Sequence, residues 1–181
     1  MHLVRFPKGP MAGDGPLAYL DALHRLARLL TRSTTDAEDL VQETYARALR
    51  AEAGFTPGSD RRAWLFRILR NAHLDARRRE ARSPIEPAAE EELSNRPDTA
   101  AADGFLRGDA ELERLRRVVG EEIEAALRGL SEDARTVVML DVEGLGEAEI
   151  AAVMGCPPGT VKSRLSRARA ALRERLADYR P

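Results

Sequence analysis

The run Gly155-Cys156-Pro157-Pro158-Gly159 constrains this chain more than any other stretch. Apolar residues recur at helical spacing up to Met154 and again from Val161, so a helix on each side is expected. Proline lacks a backbone N–H and disfavours the α conformation in the residue before it, so a single helix cannot run through Pro157 and Pro158. Gly155 can take the positive φ that closes a tight turn, and proline is accepted in the first turn of a following helix. A short helix over 147–154, a sharp turn and a longer helix from about Pro158 follow, which is helix-turn-helix geometry. Ala151 is small where two such helices would approach, and Val161 and Leu165 are placed to anchor the second on the first.

The second helix carries a narrow apolar stripe: Val161, Leu165, Ala168, Leu172 and Leu176. Ser163, Ser166, Arg167 and Ala170 lie opposite, flanked by Lys162, Arg169 and Arg173. Small residues with long cations at the edges let a helix sit in a major groove, where serines and an arginine reach base edges while flanking cations hold phosphates. Lys162, Ser163, Ser166 and Arg167 are the candidate base-facing residues, with Arg164 and Arg169 as further candidate DNA contacts. The bland alternative is a helical hairpin with a solvated basic face. A membrane-surface helix fits less well, because the stripe has no Trp or Phe.

Charge is segregated although the chain as a whole carries −1. Residues 61–82 hold eight arginines against Asp75 and Glu80, and residues 157–181 hold seven basic residues against Glu174 and Asp178. Between them, residues 83–130 hold twelve acids against six arginines. Two basic blocks separated by an acidic one suggest two polyanion-facing modules. Leu, Ala and Arg dominate and aromatic residues make up 4%, so an all-α fold is expected. A single cysteine excludes an intramolecular disulfide and fits a reducing compartment, and no apolar run reaches the roughly eighteen residues a membrane span needs. A cytoplasmic protein with no membrane insertion of its own is expected.

The segment 83–104 has three prolines, many small residues and a run of glutamates, and buries little. The expected organisation is therefore a disordered lead-in (1–16), a helical domain (17–82), a flexible acidic linker (83–110) and a helix-turn-helix domain (111–181). In the first domain, 16–31 should be a helix with Leu17, Leu20, Leu23, Leu26, Ala27 and Leu30 inward. A second helix, 34–51, is expected to open on a capping box of Thr35 and Glu38. Its apolar side is Ala37, Val41, Tyr45, Ala48 and Leu49, and its outer face Asp39, Gln42, Glu43 and Ala46. A turn at 54–60 leads to a helix over 61–79, with Trp64, Leu65, Ile68, Leu69, Ala72 and Ala76 inward. In the second domain, Ser131 should cap a helix over 132–143 that buries Ala134, Val137 and Val138, and Gly144 should end it.

On the helix 61–79 a polar stripe of Arg67, Asn71, Asp75 and Arg78 runs opposite the Trp64 side. Asn can read adenine, and Arg can hold phosphate or stack on an exposed base, but an acid in the stripe argues against simple electrostatic adhesion. A solvated face is an equal alternative from spacing. The acidic face Asp39, Gln42, Glu43 should meet a protein rather than nucleic acid. Nothing converges on catalysis or metal binding: His2, His24 and His73 are scattered, and paired-cysteine, H-E-x-x-H and phosphate-cradling patterns are lacking. No enzyme activity and no cofactor are expected.

Three stretches, DAEDLVQETYARAL, RAWLFRILRNAHLDARRR and GCPPGTVKSRLSRARAAL, in this order and spacing, resemble bacterial RNA polymerase sigma factors of the extracytoplasmic-function group. The resemblance covers about 17–178. It implies two helical domains that bind core RNA polymerase, direct it to promoter DNA and help open the −10 element. It places Asp39, Gln42 and Glu43 on the polymerase, Asn71 where a flipped −10 base is captured, and Lys162, Ser163, Ser166 and Arg167 on the −35 element. An anti-sigma factor is a further implied partner. Gly146 and Ala148 depart from the family's polar cap and aromatic, which suggests a looser first turn in the helix 147–154. The alternatives are a regulator with a LuxR-like helix-turn-helix, against which stands the first domain's lack of αβ alternation, and a helical adaptor that binds proteins alone.

Overall fold

A computed structural model describes residues 18–31, 33–56, 58–82 and 119–177. They form α1 (Leu20–Leu30), α2 (Thr34–Ala51), a 3-10 turn (Glu52–Gly54), α3 (Arg61–Arg82), α4 (described over 119–128), α5 (Glu132–Val142), α6 (Glu147–Met154) and α7 (Pro158–Arg175). Among the described residues there is no strand, so the all-α expectation holds. The lead-in 1–16, Leu17 and the acidic linker 83–110 lie outside the described residues.

Helix α1 buries Leu23, Leu26 and Ala27 completely, on the face the leucine spacing marks. Leu20 departs from that reading and is 39% exposed, because it is the first helical residue and precedes the packed turn. The start of α2 also differs from expectation. Its N-cap is Ser33, which sits in extended backbone and accepts a hydrogen bond from Asp36 N at 3.0 Å, whereas Thr35 is already inside the helix. Ser33→Ala is expected to lower stability by about 1 kcal/mol, measurable as a shift in thermal unfolding, because it leaves a first-turn N–H without its acceptor. Ala37, Val41 and Ala48 are buried as expected, but Leu49 is 73% exposed, and Leu40 and Thr44 take the remaining buried positions. Thr44 satisfies its hydroxyl by donating to Leu40 O at 2.7 Å.

Helix α3 starts on Asp60, a cap absent from the sequence reading. Its Oδ1 accepts from Arg62 N at 2.8 Å and Ala63 N at 3.1 Å. The helix runs to Arg82, three residues beyond expectation, and buries Leu65, Leu69 and Ala72. Phe66 and His73 are buried as well, because α3 packs on two sides, against α1 and α2 and also against α6. Trp64 is half-buried and meets Phe55 at 5.1 Å, and the Arg61 guanidinium lies 4.7 Å from the Phe55 ring centre.

In the second half Ser131 caps α5 through Ala134 N, and Gly144 ends it with φ +80°, both as expected. Val137 and Val138 are buried and Ala134 is half-buried. The expected loosening of the first turn of α6 is corrected. The Glu149 carboxylate accepts from Gly146 N at 2.7 Å and fastens that turn without a polar cap residue.

The two halves share one apolar core that runs from Leu23, Leu26, Phe66 and Leu69 to Val137, Leu140, Ile150 and Val161, with α3 against α6 and α1 against α5. Arginines close the seam between them. Arg62 donates to Glu143 O and, at 3.3 Å, to Gly144 O. Arg25 pairs with Glu143 at 2.8 Å, and Arg128 donates to Arg28 O at 3.3 Å. Arg135 gathers the carbonyls of Leu29, Leu127, Arg128 and Leu130, at or near the ends of α1 and α4.

Candidate nucleic-acid and polymerase surfaces

Helix α6 ends at Gly155, which is left-handed at φ +64°, and Cys156 N returns to Ala151 O at 3.1 Å. Pro157 is extended and Pro158 opens α7, so the turn forms where the glycine and prolines require. Val161, Leu165 and Ala168 are buried beneath α7, with Leu172 packed at the core's edge. That packing turns Lys162, Ser163, Ser166, Arg167 and Arg169 outward, all exposed. Arg167 is steadied along its own helix, donating from Nε to Ser163 O at 3.2 Å and approaching Ser163 Oγ at 3.4 Å, while Ser163 Oγ donates to Thr160 O at 3.0 Å. Arg169 pairs with Asp141 at 2.7 Å. Arg164 differs from the rest: it is half-buried, pairs with Asp133 at 2.7 Å and passes 3.8 Å from the Cys156 sulfur.

On α3, Arg67, Asn71 and Arg78 are exposed along one face. Asp75 is half-buried at the border of that face. Its carboxylate receives Arg47 of α2 at 2.7 Å and lies 3.5 Å from Arg78, while its backbone carbonyl accepts from Arg79 at 3.3 Å. On α2, Asp39 and Gln42 are exposed, and Glu43 is half-buried with Arg47 at 2.7 Å and Arg50 at 3.6 Å. The hydrogen bond from Arg47 holds the carboxyl of Glu43 below its ordinary value of 4.5, with Arg50 and Arg79 adding to the effect. The same arginine holds Asp75 below 3.8, helped by Arg78 and Arg79. Both depressed groups are charged at neutral pH, and whatever their pairing contributes is lost as pH falls through those lowered values. Asp39 and Glu43 also line a cleft of about 900 Å³ whose other walls include Arg77, Arg128 and Arg135.

Sequence reasoning missed the pairings of these surfaces. Glu43 and Arg47, four apart on one helix, were open to it as an i,i+4 pair. The link from Arg47 to Asp75 was not, nor was the acidic pair at the start of α5, where Glu132 faces His73 at 3.3 Å and pairs with Arg77, and Asp133 takes both Arg70 at 3.4 Å and Arg164 at 2.7 Å. Among the described residues, no group of three or more His, Cys, Asp or Glu side chains is placed to hold a metal ion, and no helix is long and apolar enough to cross a membrane.

Comparison with known proteins identifies the family. Residues 17–83 match the family model of sigma-70 region 2, and residues 120–172 match that of sigma-70 region 4. The chain is 37% identical over 162 residues to the ECF RNA polymerase sigma factor SigE of Mycolicibacterium smegmatis, covering 89% of this chain and 60% of that protein. It is 36% identical to the ECF RNA polymerase sigma factor EcfG of Rhodopseudomonas palustris, covering 88% of this chain and 81% of that one. Among solved structures, the sigma factor RpoE of Bartonella quintana, crystallised with the anti-sigma factor NepR, matches with a TM-score of 0.68 at 32% identity, over 91% of this chain and 95% of that one. With both family models matched across its two sets of helices, this chain belongs to the sigma-70 family of RNA polymerase sigma factors, in the extracytoplasmic-function group.

Proposed function

We propose that this chain binds core RNA polymerase through Asp39, Gln42 and Glu43 of α2, reads and helps open the −10 element through Arg67, Asn71 and Arg78 of α3, and reads the −35 element through α7. Asp75 belongs to the same −10 stripe. Residues 17–82 and 111–181 are the two working domains, joined by 83–110. The chain acts in the cytoplasm and has no catalytic step of its own, since polymerase supplies the chemistry. An anti-sigma factor is the proposed protein antagonist, by likeness to the RpoE chain. The observation that carries this reading is the outward set Lys162, Ser163, Ser166 and Arg167 on a helix whose opposite stripe is buried behind a Gly-Pro turn.

Run-off transcription with core polymerase and mapped start sites tests it directly. Within that assay Arg167→Ala should relax sequence preference in the −35 element, because a groove-facing arginine supplies about 1–3 kcal/mol of discrimination against the wrong base. Lys162→Ala should instead weaken binding evenly across sequences and reduce the salt dependence. Identical promoter-sequence profiles for the parent and the Arg167 variant would remove the base-reading assignment.

A further inference from the structure

Asp75 is the one acid in the polar stripe of α3, and a bare carboxylate there would repel the phosphates that Arg67 and Arg78 attract. In the structure it is not bare. Arg47 reaches across from α2 with Nη1 2.7 Å from Asp75 Oδ2, while its Nε holds Glu43 Oε1 at 2.7 Å. A planar guanidinium can donate in two directions at once, which an ammonium on a single stem does less well. The Arg47 side chain is 28% exposed, against 42% for Glu43 and 44% for Asp75, so the central cation is the best shielded member of the chain. Arg50 at 3.6 Å from Glu43 and Arg78 at 3.5 Å from Asp75 extend it to five groups, Arg50–Glu43–Arg47–Asp75–Arg78. One end of this chain lies on the acidic face of α2 and the other on the stripe of α3.

We propose that Arg47 is a positioning residue for −10 recognition. It takes the closer contact with Asp75 and turns the carboxylate toward α2, so that Arg78, 67% exposed and 3.5 Å from the other oxygen, is held more loosely and can reach the DNA backbone. Without Arg47 the Asp75 carboxylate keeps its charge, and Arg78, already 3.5 Å away, becomes its nearest ion-pair partner among the described residues. Arg78 is then drawn to the carboxylate, and the stripe has one free cation fewer. This role rests on the reading of α3 as the −10 face.

The test uses holoenzyme assembled from core polymerase and the full chain, on the promoter fragment it transcribes best, with permanganate reactivity of −10 thymines as the readout. With core polymerase saturating, so that any change at Glu43, which Arg47 also holds, stays out of the readout, Arg47→Ala should reduce open complex by about fivefold, as expected for roughly one lost phosphate contact. Arg47→Lys should fall between the two. The deciding variant is Arg47→Ala with Asp75→Asn, which should return opening to the level of Asp75→Asn alone. If Arg47 merely braced α2 on α3, removing its partner as well would restore nothing. Should Arg47→Ala lose helicity, Arg47→Lys with and without Asp75→Asn makes the same comparison. Normal opening in Arg47→Ala, or a double variant as defective as the single one, would overturn the proposal. Arg67→Ala and Arg78→Ala separate the two readings. If neither reduces opening, α3 is not the DNA face and the role of Arg47 falls with it. If both reduce opening while the double variant is not restored, the face stands and Arg47 alone is misassigned.

Discussion

Phe66→Ala is expected to lower the unfolding free energy by about 3–5 kcal/mol, the range for emptying an aromatic site in a packed core. Phe66 is fully buried on α3, the helix that packs against α1, α2 and α6. Because α3 packs against α1, α2 and α6, it cannot shift to fill the void on one side without parting from a neighbour on another. Domains of this kind are stable by roughly 5–15 kcal/mol, so the loss would be a large share of the total. Denaturant unfolding followed by circular dichroism measures it as a lower midpoint at unchanged slope. Phe66→Leu should lose distinctly less, since most of the volume is kept. A Phe66→Ala midpoint within error of the parent would mean that the Phe66 ring is not buried in solution as it is here.

Arg135→Ala is expected to cost about 2–3 kcal/mol, the scale for hydrogen bonds that involve a charged group. Its guanidinium donates to Leu29 O, to Leu127 O at 3.1 Å, to Arg128 O at 2.9 Å and to Leu130 O at 3.1 Å. These carbonyls stand at or near the ends of α1 and α4, where backbone acceptors lack partners within the helix and a cation is favoured by the dipole. Burial disfavours the charged form of this arginine, so its retention there depends on those acceptors. Because Leu29 belongs to the first set of helices and the others to the second, the loss should also loosen the seam. That appears as faster amide exchange at the end of α1 in addition to lower global stability. Arg135→Lys should recover part of the loss, since an ammonium cannot fan its donors over four carbonyls in a plane. Unchanged stability in Arg135→Ala would show that water serves these carbonyls equally well.

What the sequence by itself determined is local. The turn between α6 and α7 was legible because Gly155, Pro157 and Pro158 restrict their own backbone, whatever surrounds them. The Ser131 cap and the Gly144 stop were legible for the same reason. The outward set on α7 followed from one-sided burial, which the spacing of Val161, Leu165 and Ala168 records. Even local signals fail by two residues where two caps compete. Ser33 took the role assigned to Thr35 because its extended backbone aims the hydroxyl at Asp36 N. Leu49 was misplaced because, among the described residues, it stays 73% exposed near the end of α2, and periodicity carries no record of where the neighbours stop. Tertiary structure decided the rest. Phe66 and His73 are buried because α6 and α5 approach α3 from its second side, and a single amphipathic pattern can mark one contact face but not two. Arg47 with Asp75 and Arg164 with Asp133 are 28 and 31 residues apart, and charge in a sequence has no direction until folding brings one partner within reach. These pairings settle which cations of a basic helix are committed inward and which remain for another molecule, because a salt bridge depends on separation in space rather than along the chain.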